Sequence, residues 1–184
     1  NNSNVVNNGT ITLATGISET LPNIGIYSDN KGRVNNNTGT ISTGDYGIGI
    51  YAEEVRNGGN ISVQNSSIGI FSSGSGFVNS LGSISVGTGE SVGIFATGSG
   101  KLISMGPLSS MTIGDTSFGI VNTGSGNGIV SDMLNVNLSN DSMYIYSIDT
   151  MAPTSVGGSG KNIVNYTAIN MLGSRNYGIY SAGI

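Results

Sequence analysis

The ionisable side chains of this chain offer little for catalysis. Its 184 residues include ten acidic and six basic side chains, but no histidine, cysteine or tryptophan. Histidine and cysteine supply most general bases, thiol nucleophiles and zinc ligands, so we expect no catalytic residue, no metal and no cofactor. A formal net charge of −4 with so few basic residues also argues against a nucleic-acid partner.

Paired carboxylates are the remaining route to enzymatic chemistry. Cleavage of a polysaccharide requires two carboxylates, or a base, in one cleft. Glu53 and Glu54 are adjacent, but neighbouring residues of a strand point to opposite faces, so the two cannot act on one bond. Arg56 and Lys101 have no acidic constellation beside them. A polysaccharide-processing lyase or hydrolase is therefore the alternative function, and we expect a protein that is not an enzyme.

Four acidic residues recur just before a repeated aromatic block. They are Asp45, Glu90, Asp115 and Asp141, with Asn65 at the matching place in another copy. Stacked copies would bring them onto one ridge, and hard cations bind such oxygen clusters. Their distance from the block varies by one residue and no dense Asp/Asn loop is present, so we expect solvated turn residues.

Small hydroxyl residues flank a second repeated isoleucine. The pairs are Thr10 and Thr12, Thr40 and Ser42, Ser83 and Ser85, and Ser110 and Thr112. A flat threonine array is one way to order water into ice, but Asn60, Ser62 and Asn135 interrupt this one. We therefore expect an ordinary polar outer face.

Short blocks of residues recur along the whole chain. The aromatic block, first Ile24-Gly25-Ile26-Tyr27 and last Tyr177-Gly178-Ile179-Tyr180, occurs seven times, with central isoleucines 20 to 34 residues apart. A second block such as Gly59-Asn60-Ile61-Ser62-Val63 precedes it, and a glycine-rich block such as Gly98-Ser99-Gly100-Lys101-Leu102 often follows. Alternation of apolar and small polar residues at period two, bounded by turn formers, predicts short strands.

The size of the repeat determines the predicted fold. Three short strands in a unit of mostly 20 to 26 residues leave no room for a helical crossover, so each unit fits one coil of a solenoid. We predict an all-β, right-handed parallel β-helix of about seven coils, with residues 1–184 forming a single segment. No polar capping repeat is evident, so we expect the chain to be part of a longer rod.

Alternation within the blocks predicts three inward columns of side chains and an outward column of glycines. The first column precedes the block glycine and holds Ile24, Ile48, Ile68, Val92, Phe118, Met143 and Tyr177. The second follows it and holds Ile26, Ile50, Ile70, Ile94, Ile120, Ile145 and Ile179. The third comes from the second block and holds Ile11, Ile41, Ile61, Ile84, Met111, Val136 and Ile169.

An aromatic residue follows the central isoleucine in all but one coil. The aromatic residues are Tyr27, Tyr51, Phe71, Phe95, Tyr146 and Tyr180, interrupted by Val121. Strict alternation would turn them outward, as a strip that stacks on sugar rings or packs against a partner. Because a long exposed aromatic strip favours aggregation, we expect the chain to bend so that the rings enter the core or cover the glycines.

Two insertions break the period, near residues 15–23 and 147–158. Loops on a rigid scaffold commonly carry binding residues. We assign candidate binding residues to the second insertion, at Ile148, Asp149, Met151 and Pro153.

The tandem blocks resemble the passenger repeats of the large fusobacterial autotransporter adhesins. The resemblance is carried by Asn57-Gly58-Gly59-Asn60-Ile61-Ser62-Val63, by Tyr46-Gly47-Ile48-Gly49-Ile50-Tyr51-Ala52 and by their copies. It implies a rigid, monomeric stalk, exported by type V secretion and displayed on the bacterial cell surface. Its partners would be a host-cell surface protein or glycan, or partner bacteria, and it would contact the outer membrane only through a β-barrel translocator outside these residues. A designed or phage-derived fibre module, which would form trimers, is a further alternative.

Overall fold

Three parallel β-sheets build the protein, as the repeat predicts. The computed structural model describes residues 4–29, 31–149 and 163–183. Within these residues the chain forms 21 strands and no helix, and the strands assemble into three sheets of seven. Each coil contributes one strand to each sheet in turn, so the fold is an all-β parallel β-helix of seven coils. Its right hand and its place in a longer rod stay predictions.

Strands are numbered in chain order, and every third strand belongs to the same sheet. The first sheet contains β1 (Asn4–Asn7), β4 (Arg33–Asn36), β7 (Glu54–Asn57), β10 (Val78–Ser80), β13 (Leu102–Met105), β16 (Gly128–Ser131) and β19 (Ile163–Asn165). The second contains β2 (Thr10–Thr12), β5 (Thr40–Ser42), β8 (Asn60–Val63), β11 (Ile84–Val86), β14 (Ser110–Ile113), β17 (Asn135–Leu138) and β20 (Ile169–Met171). The third contains β3 (Asn23–Tyr27), β6 (Gly47–Ala52), β9 (Ile68–Ser72), β12 (Val92–Ala96), β15 (Phe118–Asn122), β18 (Met143–Asp149) and β21 (Tyr177–Gly183).

Matching positions of successive coils lie side by side in each sheet, and two of the predicted columns are confirmed as core. In the third sheet the isoleucines after the block glycine are at most 6% exposed, namely Ile26, Ile50, Ile70, Ile94, Ile120 and Ile145. In the second sheet the buried column is Ile41, Ile61, Ile84, Met111 and Val136. The first sheet adds a column that was not predicted, Val34, Val55, Val78, Ile103 and Ile129. In the last coil of the described residues Ile179 is 43% exposed.

The column predicted to point inward before the block glycine is wrong, because these side chains lie on the outer face. Ile24 is 37% exposed and Tyr177 is 60% exposed. Ile48, Ile68, Phe118 and Met143 are partly exposed. Val92 is the most buried member, and it lines the same outer groove as Ile48 and Ile68.

The block glycines point inward, which also overturns the predicted outward glycine column. A Cβ on Gly49 would lie 3.4 Å from Cγ2 of Ile41 in the core and 2.7 Å from the carbonyl oxygen of Gly69 in the next coil. Tyr144 occupies the glycine position of coil six, and its side chain is fully buried. The glycine and the isoleucine after it therefore both face the interior, so strict alternation fails at this point of every such strand.

Buried polar side chains bond from coil to coil at the corner between the first and second sheets. The amide of Asn7 donates to Asn36, Asn36 donates to Asn57, and Asn57 donates to Ser80, over 2.7 to 3.0 Å. Asn36, Asn57 and Ser80 are at most 1% exposed. Because an amide carries both donors and an acceptor, a column of asparagines satisfies its own hydrogen bonds in the core.

A column of serines performs the same task at the corner between the second and third sheets. Oγ of Ser67 accepts from the backbone N–H of Gly47 at 2.9 Å. Oγ of Ser91 accepts from the N–H of Ser67, and Oγ of Ser117 from that of Ser91, each at 3.2 Å. The Ser91 hydroxyl also donates to the carbonyl oxygen of Thr88 at 2.8 Å. The serines before the aromatic blocks are therefore structural.

Charging the core column tests the confirmed inward assignment. Ile94 is fully buried in the middle of the rod, so Ile94→Asp should lower the free energy of unfolding by more than about 3 kcal/mol. Ser85→Asp places the same charge on the exposed face of the second sheet and serves as the control. Equal denaturant midpoints for the two variants would contradict the assignment.

The inward glycines give a second prediction. A Cβ on Gly93 would lie 2.6 Å from the carbonyl oxygen of Gly119, so Gly93→Ala should lower the free energy of unfolding by about 1–3 kcal/mol through overpacking. A new Cβ at Gly9 would lie 3.9 Å from Oδ1 of Asn7, so Gly9→Ala should change the free energy of unfolding by less than about 0.5 kcal/mol. Urea unfolding followed by circular dichroism measures both variants. An unchanged free energy of unfolding for Gly93→Ala would contradict the inward packing of the glycines.

Candidate functional site

The four predicted binding residues of the second insertion are only partly within the described chain. Ile148 and Asp149 extend β18 and pair with Ala182 and Gly183 of β21. Ile148 is partly buried. Met151 and Pro153 lie outside the described residues, so a binding site formed by this insertion stays a prediction.

The first insertion lies against the outer face of the third sheet. It lies between β2 and β3, and Ser18 and Leu21 form an isolated antiparallel bridge within it. Ile17 is 83% exposed, and its backbone N–H donates to the carbonyl oxygen of Leu21. Glu19 and Pro22 line a groove of about 220 Å³ on the outer face of the third sheet. This insertion therefore forms one wall of a groove.

The aromatic residues stack along the outside of the third sheet, so the expectation that their rings enter the core is wrong. Ring centroids are 5.1 Å apart for Tyr27 and Tyr51, 4.8 Å for Tyr51 and Phe71, and 5.3 Å for Phe71 and Phe95. We call this the aromatic ladder; it continues with Tyr146 and Tyr180, whose centroids are 5.3 Å apart. Because each ring covers its neighbour, the ladder shows mainly ring edges to water, which limits the exposed apolar area.

The ladder is broken at Val121, and a pocket of about 680 Å³ lies there. Val121 pairs with Phe95 of β12 on one side and with Tyr146 of β18 on the other. Phe118 lines the pocket and meets the Tyr146 ring edge-on, at a centroid distance of 6.4 Å. We call this pocket the ladder gap. It is floored by an aliphatic side chain and bounded by three aromatic rings.

Two carboxylates line the ladder gap. Glu90 is exposed, and within the described residues its side chain makes no hydrogen bond or ion pair. Asp141 forms an ion pair with Arg175 of the next coil, and hydrogen bonds from that guanidinium lower the pKa of Asp141. Of the two carboxylates, Glu90 is therefore the one left to meet a ligand.

The recurrent acids lie at a turn, as expected, and they occupy two neighbouring positions of that turn. Glu90 and Asp141 have positive φ angles of 64° and 56°, whereas Asp45 and Asp115 precede that position. Oδ1 of Asp45 accepts a hydrogen bond from the backbone N–H of Asn65 at 3.0 Å, and Asp115 binds the next coil in the same way. Asp45 and Asp115 therefore join coils. The described part of the chain contains no group of three acidic residues placed to hold a metal ion.

The hydroxyl residues of the second sheet face outward, as predicted. Thr10, Thr12, Ser85 and Thr112 are exposed, and the other members are partly exposed. Their hydroxyl groups therefore form a mixed polar face, interrupted by asparagine side chains.

Lys101 is a buried cation whose burial the sequence did not predict. Its side chain is fully buried. The ammonium donates to Oγ of Ser72 at 2.9 Å and to the carbonyl oxygens of Ser73 and Gly76 at 2.8 and 3.3 Å. Burial lowers the pKa of Lys101 to about 8, although the negative charge of Glu53 partly opposes this. Lys101 thus closes the corner between the third and first sheets, and its glycine-rich surroundings gave no sign of its burial.

The adjacent acids Glu53 and Glu54 have different partners, in line with the prediction that they diverge. Oε1 of Glu53 accepts from the backbone N–H of Ser75 at 3.1 Å. Glu54 forms an ion pair with Arg33. The guanidinium of Arg56 lies 5.0 Å from the ring centroid of Phe77. These charges stabilise turns and outer strands, and they do not converge on one cleft.

Comparison with known proteins finds no match for this chain. The chain matches no family model, no curated protein and no solved structure. No helix in the described part of the chain is long and apolar enough to cross a membrane. The resemblance to autotransporter passengers therefore stays a prediction.

The buried lysine gives the protein a predicted pH dependence. Because folding lowers the pKa of Lys101 from its usual 10.5 to about 8, the unfolded chain holds a proton in this window that the folded chain releases. Stability contributed by this group therefore rises with pH between the two values. Wild type should gain stability relative to Lys101→Met from the lower to the higher end of this window, measured by urea unfolding. The exposed Lys31→Met is the control; a pH-independent difference for Lys101→Met would contradict the prediction.

Proposed function

We propose that the protein is a rigid, non-catalytic rod that displays binding surfaces, as a segment of a bacterial cell-surface adhesin. The observation that carries this proposal is the unbroken pairing of all seven coils in three sheets. A solenoid of this kind gains stability from each coil-to-coil interface, so it holds its length without a separate globular core. Stiffness and length are the properties that a display stalk requires.

The surface chemistry supports a binding role. Most of the polar groups named above are engaged in joining coils, whereas the outer face of the third sheet carries apolar and aromatic side chains in two grooves. Exposed apolar grooves of this kind on a soluble rod are typical of contact with a partner. We propose the bacterial surface as the location, a monomeric rod as the form, and host-cell proteins, glycans or partner bacteria as the class of target.

The repeat style supports a narrower origin for the rod. The blocks around Ile61 and Ile50 resemble the passenger repeats of fusobacterial autotransporter adhesins, and both isoleucines lie in the core. Export of an unfolded chain through a narrow translocator suits a sequence without cysteine, since no disulfide forms early. On this proposal the chain folds outside the cell, coil upon coil.

The competing function, polysaccharide processing, makes a different demand on the structure. Acid–base cleavage requires two carboxylates that face one bond. Glu53 and Glu54, the adjacent pair, are held by Ser75 and Arg33 respectively. A turnover assay on acidic and neutral polysaccharides separates the two functions, because a display rod releases no product.

Binding of the purified chain to epithelial cells and to partner bacteria tests the proposal directly. We expect saturable binding, measured with labelled protein and with competing sugars present or absent. Deletion of residues 151–158 tests the second insertion while leaving β18 intact; reduced binding would place a receptor site there. Ile94→Asp, with its charge in the core, is the destabilised control. Absence of binding from a chain shown to be folded, or polysaccharide turnover, would count against the proposed display function.

A further inference from the structure

We propose that the ladder gap is a binding site for an arginine side chain of a partner protein. The gap is the pocket floored by Val121 and bounded by Phe95, Phe118 and Tyr146. The proposal deepens the proposed function and rests on it for its biological role, since it names the chemical group that one surface of the rod would bind. Binding of an arginine group in the gap can be measured on the isolated chain, without cells or partner bacteria.

The spacing of the ladder fits one flat group. Phe95 and Tyr146 pair with Val121 from opposite sides, so two strand spacings, about 9–10 Å, separate their backbones. A planar group placed between two rings needs about 7 Å, which is two van der Waals separations. In coils three and four the matching position holds Phe71 and Phe95, which stack at 5.3 Å. Valine at position 121 thus removes one ring from the ladder. The open space lies beside Phe95, and Phe118 meets the Tyr146 ring edge-on at its other end.

The walls of the gap suit a cation. Phe and Tyr rings attract a guanidinium or ammonium group placed against their faces, and the attraction strengthens as water is excluded. Val121 is 8% exposed at the floor, and Met143 also lines the gap. The gap is open to solvent on its outer side, and most of its lining is apolar.

Charge decides between a cationic and a neutral occupant. Two carboxylates and no basic side chain line the gap. Arg175 neutralises Asp141, and this leaves the Glu90 carboxylate with no ionic partner in the part of the chain that the structure describes. A cation in the gap would meet aromatic rings and this carboxylate together, whereas a neutral ring would leave Glu90 unpaired.

Arginine fits better than lysine. The guanidinium is planar, stacks on aromatic faces and presents a fork of donors to a carboxylate, whereas an ammonium is a compact and strongly hydrated charge. A guanidinium between the rings would keep its edge free to donate to Glu90. We therefore assign the gap to an arginine that projects from a partner protein.

Methyl NMR on the full chain tests this assignment with a defined probe. The probe is Nα-acetyl-arginine N-methylamide, and its neutral isostere is the citrulline compound. We expect saturable shifts of the Val121 methyl signals with arginine, and binding weaker by at least about fivefold with citrulline. Glu90→Gln should weaken arginine binding, and added salt should do the same because the charge contribution is screened. Asp132→Asn is the matched control and should leave binding unchanged. Asp132 is an exposed acid in the turn between β16 of the first sheet and β17 of the second.

Val121→Phe is the decisive variant, because it restores the ring found in the neighbouring coils. It should abolish arginine binding, followed in this variant by the methyl signals of Val92 and Met143, which also line the gap. The thermal midpoint should stay at or above that of wild type, and the loss of the Val121 signals identifies them in the wild-type spectrum. Equal binding of the citrulline compound, arginine binding that survives Val121→Phe, or stronger shifts from a neutral methyl glycoside would overturn the proposal. Failure of the chain to bind cells would count against the proposed function only. Absence of a Val121 methyl shift with the arginine probe would overturn only the assignment of the gap.

Discussion

Hydrogen bonding between matching strands of successive coils is the constraint on which the rest of this structure depends. It places every side chain about 4.8 Å from its counterpart in the next coil. Each side chain must therefore pack or hydrogen-bond favourably against a residue of similar type. Isoleucines satisfy this by packing, and asparagines such as Asn36 and Asn57 satisfy it because an amide donates to the next amide. A stack of carboxylates would only repel. A charged fraction of 9% follows from this geometry.

Much of the fold is predictable from the sequence because the repeat is explicit. The period gave seven coils, and the isoleucine columns through Ile61 and Ile94 lie in the core as alternation requires. Alternation failed at the block glycine, because the glycine and the next isoleucine both face inward. The signal for this was present at Tyr144, a large residue in a glycine position, but a single sequence does not show whether such a residue points in or out.

The candidate site was less predictable, and for a different reason. The break at Val121 is visible in the sequence, but its meaning depends on whether Phe95 and Tyr146 lie outside, and that depends on the failed alternation. The burial of Lys101 depends on how the glycine-rich corner folds over it, and periodicity carries no information about such a corner. The one-residue difference in offset between Asp45 and Glu90 is visible in the sequence, but the positive φ at Glu90 is not.

The parallel stacking also determines how the rod responds to mechanical load. The sheets run along the rod axis, so a pull on one terminus acts first on the hydrogen bonds of the outermost coil and peels that coil from the next. The twenty residues between Ile50 and its partner Ile70 extend to about 70 Å when drawn straight, against a coil rise of about 4.8 Å. Under shear flow such a rod lengthens in discrete steps, one coil at a time. Stepwise extension of this kind limits the peak force along the chain.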